Sequence, residues 1–269
     1  MAGLYADAVV YDILNTPGTA AEVDAIERIE RDWARATDRG LSPRRWWYEP
    51  ACGSGRYLRV ARRRGRRVGG FDLDPGMVAY ARRRLGPVVH VARMTDPAAP
   101  GARPGSVGLA FNPVNTIRHL PDDASVLAHL AQMAALLAPG GIYCVGISFV
   151  DYARLEPEED LWEGARGRCR VSQLVNYLPP EPGTRRARLE TVISHLTVTR
   201  PAGDVHRDDR YDLRCYDRRQ WDRLVARSAL RRVGGRDAAG RPLAGRDLPY
   251  CWEVLAGPPV PGLPSVLLA

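Results

Sequence analysis

The chain has 269 residues, 45 % of them hydrophobic, enough for one α/β domain or one domain with a sizeable insertion. No stretch nears the roughly 20 apolar residues that span a bilayer, and the opening MAGLYADAVVYDILN lacks a basic start and carries Asp7 and Asp12, so the expectation is a cytoplasmic protein without a secretory leader or membrane partner. The net charge of +8 comes from 39 basic residues that are all arginine, the pattern of an arginine-biased genome, and the five scattered cysteines, with no CxxC pair, exclude a disulfide framework or clustered zinc site.

Taken in chain order, residues 5–38 read as helical, with Val23, Ile26, Ile29 and Trp33 on one face and a second start at Thr16-Pro17 or Thr19. A short strand over 44–48 leads through a glycine turn into a helix over 53–64. A strand over 68–71 precedes a helix over 75–85 that Pro75 opens. Further strands fall at 88–91, 106–111 and 142–147, the last two separated by a helix over 122–137 that Pro139-Gly140-Gly141 closes. This alternation predicts a parallel sheet with helices on both faces. Residues 168–177, 186–199 and 207–215 instead alternate polar with β-branched or aromatic residues, as antiparallel strands do. A helix over 217–229, strands over 231–235 and 250–255, and a proline-rich tail complete the chain.

The chemistry concentrates at two strand ends. In Glu49-Pro50-Ala51-Cys52-Gly53-Ser54-Gly55 a strand ends in an acid, turns through small residues and enters a helix; Gly53 and Gly55 let backbone approach a ligand. Leu58 stands where a dinucleotide fingerprint needs glycine, and no lysine is available for a phosphate loop. At the next strand end, Asp72 is placed to accept two ribose hydroxyls, with Leu73 beside it for an adenine face. Asp74 reads as the N-cap of the helix that follows. His90, His129, His195 and His206 show no metal-ligand spacing, so no metal is expected.

These motifs resemble class I S-adenosylmethionine-dependent methyltransferases. EPACGSG is similar to their first motif and GGFDLDPGMVAYA to their second. VARMTD is similar to their adenine-binding segment, and LLAPGGIYCVGI to the approach to their fifth strand. The resemblance covers 44–148 and continues to about 256. Asn115 to Asp122 is similar to the segment of glycine, sarcosine and amino-sugar N-methyltransferases that lines the meeting point of methyl group and acceptor. Two positions depart from the group: Arg93 stands where an acid often holds adenine, and Ser148 where the glycine-methylating enzymes place an arginine.

The resemblance implies a Rossmann-like α/β fold, a mostly parallel seven-stranded sheet with helices on both faces and an inserted antiparallel β lid. The expected divisions are an amino-terminal helical cap (1–40), a cofactor-binding core (41–150), a β-rich substrate lid (151–216), the end of the core sheet (217–256) and a tail (257–269). It implies S-adenosylmethionine as cofactor, S-adenosylhomocysteine as product, and methyl transfer to an N, O or S nucleophile of a small molecule. The implied cofactor residues are Tyr11, Glu49, Ala51, Gly53, Gly55, Asp72, Leu73, Met94 and Asn112. Asn115, Arg118 and His119 would meet the acceptor, Arg118 as an anchor for an acidic group, and His119 or Tyr11 would serve the chemistry. Two alternatives stand beside this reading: a nucleic-acid methyltransferase drawing on the positive field, for which Val114 and Asn115 break the N-P-P-aromatic pattern, and a non-catalytic cofactor-binding protein. A homodimer is one assembly the chain allows.

Overall fold

The computed structural model describes residues 3–37, 45–243, 245 and 248–257. A 3-10 turn, Gly3–Ala6, leads into two helices, α1 (Ala8–Asn15) and α2 (Thr19–Ala36). The helical stretch over 5–38 divides as expected near Pro17, which cannot donate, and Gly18 at φ 79°, with the second helix starting at Thr19. The Asp7 carboxylate caps α1 by accepting from the Val9 and Val10 amides.

The core follows as β1 (Trp46–Pro50), α3 (Arg56–Arg63), β2 (Arg67–Asp72), α4 (Pro75–Leu85), β3 (Val89–Val91), β4 (Val107–Asn112), α5 (Asp123–Leu136) and β5 (Leu137–Ser148). Asp74 caps α4 through the Met77 amide, with Pro75 at the first helical position. The Asp122 carboxylate caps α5. β5 begins directly at the end of α5, so the segment Pro139-Gly140-Gly141, expected as a stop and turn, lies inside the strand.

After β5 come β6 (Glu158–Arg166), β7 (Cys169–Leu178), β8 (Leu189–Arg200), β9 (Gly203–Arg214), α6 (Arg218–Ala226), β10 (Arg231–Arg236) and β11 (Tyr250–Ala256). The first sheet has seven strands in the order β10-β11-β5-β4-β1-β2-β3, parallel except for β11, which runs against both β5 and β10. That is the expected mostly parallel sheet. The second sheet is an antiparallel meander, β6-β7-β8-β9. It holds one strand more than the three expected. β6 reads EEDLWEGAR and lies exposed at a sheet edge, where charge is tolerated because it blocks pairing with other chains.

Two apolar cores flank the first sheet. One gathers Val23, Ile26 and Ile29 of α2 with Leu58 of α3 and Trp47 of β1; the other gathers Leu130 and Met133 of α5 with Tyr143, Ile147 and Trp221. The second sheet is buried on one face only. At one end of that face, Val171, Leu196 and Val198 pack against Val10, Ile13 and Leu14 of α1. The expected division at residue 40 falls outside the described residues, as does the tail beyond Gly257.

Candidate active site

The residues expected to grip a cofactor meet where β1 and β2 end. Ala51 turns the chain at φ 51° and Gly53 follows at φ 53°. At Gly53 a side chain would also be crowded, since its Cβ would lie 3.0 Å from the Tyr11 ring. Gly55 serves a different purpose: it opens α3 at φ 72°, and a Cβ there would meet Leu85 of α4 at 2.8 Å. Close packing of α3 on α4 thus requires that glycine.

The Gly53 amide donates to Asp72 Oδ2 at 2.7 Å, and the Asp74 amide to Asp72 Oδ1 at 2.9 Å. Asp72 therefore ties the glycine loop to the end of β2, and each oxygen keeps a lone pair for a further donor. Burial raises its pKa, against the pull of those amides. Glu49 is buried, and its Oε2 meets no partner. Burial, opposed by Arg56, raises its pKa well above the usual carboxyl range. Nearby, Asn112 donates to the Pro50 carbonyl at 3.0 Å and leaves its own Oδ1 buried without a partner. An unmet buried polar oxygen costs about 1–3 kcal/mol, so two of them beside one loop mark a place built for outside donors. Leu73 is 43 % exposed. Met94 is half-buried against the core, and its carbonyl lies 3.1 Å from His129 Nδ1.

The other expected residues lie beyond β4. Val114 and Asn115 adopt φ values of 50° and 60°, and a β-branched residue in that region is strained. The Asn115 side chain holds the turn: Nδ2 donates to Ser148 Oγ at 2.9 Å, and the Ser148 amide donates to Oδ1 at 2.6 Å. His119 stacks on Tyr211 with centroids 5.5 Å apart, and its Nε2 lies 3.4 Å from the Tyr5 hydroxyl. Although its ring edge opens onto a cavity, the crowding protein and then Arg118 push the His119 pKa down to about 4. Burial pushes the Tyr11 phenol up to about 12. At neutral pH both are uncharged, and neither is tuned as a proton acceptor.

Arg118 lines the cavity, as expected of a residue meeting the acceptor, but its charge is already engaged: it is largely buried, donating to the Arg214 carbonyl at 3.0 Å and to Glu190 at 2.8 Å. Its charge is answered inside the chain. Asn115, Arg118 and His119 line one side of a cavity of about 640 Å³; Tyr5 and, from the second sheet, Gln173 and Tyr211 are among the residues that line it elsewhere.

Comparisons with known proteins fit this geometry. The family model described as "Methyltransferase domain" matches residues 48–141, which run from β1 into β5. Residues 48–141 thus form a methyltransferase domain, set on a Rossmann-like sheet. The methyltransferase is similar to DesVI of Streptomyces venezuelae, with a TM-score of 0.70 at 20 % identity over 94 % of this chain and 98 % of that one. It is similar to the sugar N-methyltransferase KedS8 of Streptoalloteichus, with a TM-score of 0.67 at 19 % identity over 94 % and 93 % of the two chains. A curated relative, the malonyl-[acyl-carrier protein] O-methyltransferase of Serratia marcescens, is 26 % identical over 68 % of this chain and 69 % of its own.

The donor set of the methyltransferase fits its cofactor. Asp72 offers two acceptor oxygens, the Glu49 and Asn112 oxygens await donors, and the backbone at Gly53 carries no Cβ. One part of the site escaped sequence reasoning. Asp12 of α1 is buried and accepts from Ser54 Oγ at 2.7 Å, Arg59 at 2.5 Å, Tyr80 at 2.7 Å and Arg166 at 2.7 Å. Burial alone would raise its pKa; these four donors outweigh it and hold the carboxyl well below the usual range. Asp12 thus joins α1, the glycine loop, α3, α4 and the end of β6. Its signal in the sequence was an acid between Val10 and Ile13, on the apolar side of a short helix.

Proposed function

We propose that the methyltransferase transfers a methyl group to the amino nitrogen of a small molecule seated between the Asn115–His119 segment and the second sheet, which acts as the lid over residues 151–216. The observation that carries this reading is the cavity. It is bounded by the loops leaving β4 and β5 on the core side and by the inward face of the lid on the other. The carboxyl ends of the strands in an open α/β sheet are where such folds hold ligands. The printed descriptions of KedS8 as a sugar N-methyltransferase and of CalS10 from Micromonospora echinaspora as an amino pentose methyltransferase support a nitrogen acceptor.

S-adenosylmethionine supplies a methyl carbon on a sulfonium and a neutral leaving thioether. Asp72, Glu49, Ala51, Gly53 and Asn112 would hold it, with Leu73 and Met94 at the adenine and Tyr11 closing over Gly53. Among the described residues no group of three or more potential ligands could hold a metal. Alignment of the reacting atoms and exclusion of water are the chain's part in the transfer, and alignment alone is worth up to about 7–11 kcal/mol. With its pKa near 4, His119 stays neutral and accepts a hydrogen bond from the amine N–H, turning the nitrogen lone pair toward the methyl. The acceptor enters the step as a free amine, and the proton it sheds afterwards passes to water at the cavity mouth. The described cysteines are all free thiols, which suits a cytoplasmic setting.

The test is mass detection of a methylated product after incubation with S-adenosylmethionine and a set of amines, paired with calorimetry of S-adenosylhomocysteine. Amine products gaining one methyl are expected. Asp72→Ala should weaken cofactor binding at least tenfold, since hydrogen bonds to a charged group are worth about 1.5–3 kcal/mol. Methylation of hydroxyls alone, or unchanged binding in Asp72→Ala, would contradict the reading.

A further inference from the structure

The chain carries a net charge of +8, yet its acceptor cavity is acidic. Six carboxylates and two guanidiniums line it, a net charge of −4 with His119 neutral. Two of the carboxylates are answered within the chain, Glu22 by Arg56 at 2.6 Å and Glu190 by Arg118 at 2.8 Å. The other four, Asp151, Glu156, Glu158 and Asp160, are exposed at the mouth, where Arg154 is the one further cation in the lining among the described residues.

The placement of these charges follows from strand alternation. Side chains two apart on a strand share a face, so Glu158, Asp160 and Trp162 lie together on β6. Their register partners on β7 are Tyr177, Val175 and Gln173. All six line the cavity. The opposite face of β6 carries Glu159, Leu161 and Glu163, which do not. Charge spread over both faces would be explained by protection of an edge strand. That purpose does not explain why an indole 42 % exposed shares the inward face with two acids. An indole face beside carboxylates is a surface that attracts ammonium groups.

Resting on the amine reading above, we propose that the acceptor carries at least two amino groups. One, as the free amine, meets the methyl near His119, and a second, as an ammonium borne by a diamine, an aminocyclitol or an oligoamino sugar, sits against Glu158, Asp160 and Trp162. A sugar linked to a nucleoside diphosphate would bring two or more negative charges to the same mouth and is rejected.

Calorimetry on the full chain loaded with S-adenosylhomocysteine tests this with three probes: 2-deoxystreptamine with two amino groups, cyclohexylamine with one, and UDP-glucosamine. The diamine should bind roughly tenfold more tightly than the monoamine, the worth of one or two exposed ion pairs. The preference should shrink in 1 M salt, where charges are screened within about 3 Å, and fall to near unity in Glu158→Gln/Asp160→Asn. UDP-glucosamine should not bind. Equal affinity for the two amines, a preference unmoved by the double substitution, or binding of UDP-glucosamine would overturn the proposal, while methylation of amines would leave the amine reading standing. Failure of both amines to bind the loaded enzyme would overturn both.

Discussion

The two sheets of the methyltransferase divide the work according to how deeply each is buried. In the parallel sheet, Trp47, Tyr48, Leu109, Phe111 and Cys144 are at most 1 % exposed, with helices on both faces. In the antiparallel sheet one face packs on α1 or opens onto the cavity, and the other meets solvent. The first is suited to fixing a cofactor in one geometry. The second bears, on β6, the exposed inward side chains Glu158, Asp160 and Trp162, which can change without disturbing a core, and there acceptor choice can vary at low cost in stability. Asp12 crosses between them, bonded to the glycine loop on one side and to Arg166 of β6 on the other.

The largest effect should come from breaking that link. Asp12→Ala removes a buried carboxylate and strands the largely buried Arg59, a loss of about 3–5 kcal/mol, measurable by urea unfolding. Because the folded pKa of Asp12 is depressed, its contribution is present above the ordinary carboxyl pKa and fades as pH falls toward the folded value. The difference between wild type and Asp12→Ala should therefore narrow below about pH 4. A constant difference across that range would separate the effect from the carboxylate's charge.

Next in size is a change confined to the acceptor side. His119→Ala should lower kcat about tenfold, the worth of one hydrogen bond to the acceptor, and leave S-adenosylhomocysteine affinity within twofold. Loss of cofactor binding instead would move His119 to the other half of the site. With its pKa near 4, His119 should leave no inflection near pH 6.5. The rate should rise with pH as the acceptor's ammonium deprotonates, with the same profile shape in His119→Ala; an inflection near 6.5 that the substitution abolishes would make His119 the base after all.

What could be read in advance follows the same division. The helix over 75–85 was legible to the residue because Asp74, Pro75 and Gly86 mark both ends chemically. The core strands were legible because burial on both faces demands apolar runs. β6 was not, because an exposed edge strand carries the composition of a loop. The expected roles of Glu49 and Gly53 rest on one strand-turn-helix unit, and that of Asp72 on the end of the strand that follows it. The pairing of Arg118 with Glu190 joins residues 72 positions apart, and no local pattern announces it.

The smallest effect should fall on the outer face of β6. Leu161→Ser, at a side chain 62 % exposed, should change stability by no more than about 0.5 kcal/mol and leave turnover unaltered. A larger loss, seen by thermal unfolding, would mean that this face is covered in solution.

The central claim, a cofactor held by the parallel sheet with its sulfur directed at a cavity roofed by the antiparallel one, is tested most directly by crystallising the chain with S-adenosylhomocysteine. The account expects ribose hydroxyls on Asp72, the amino-acid end beside Glu49, and the sulfur opening toward His119. Density for the ligand among Glu158, Asp160 and Trp162, with the Asp72 oxygens bonded only to the Gly53 and Asp74 amides, would contradict it.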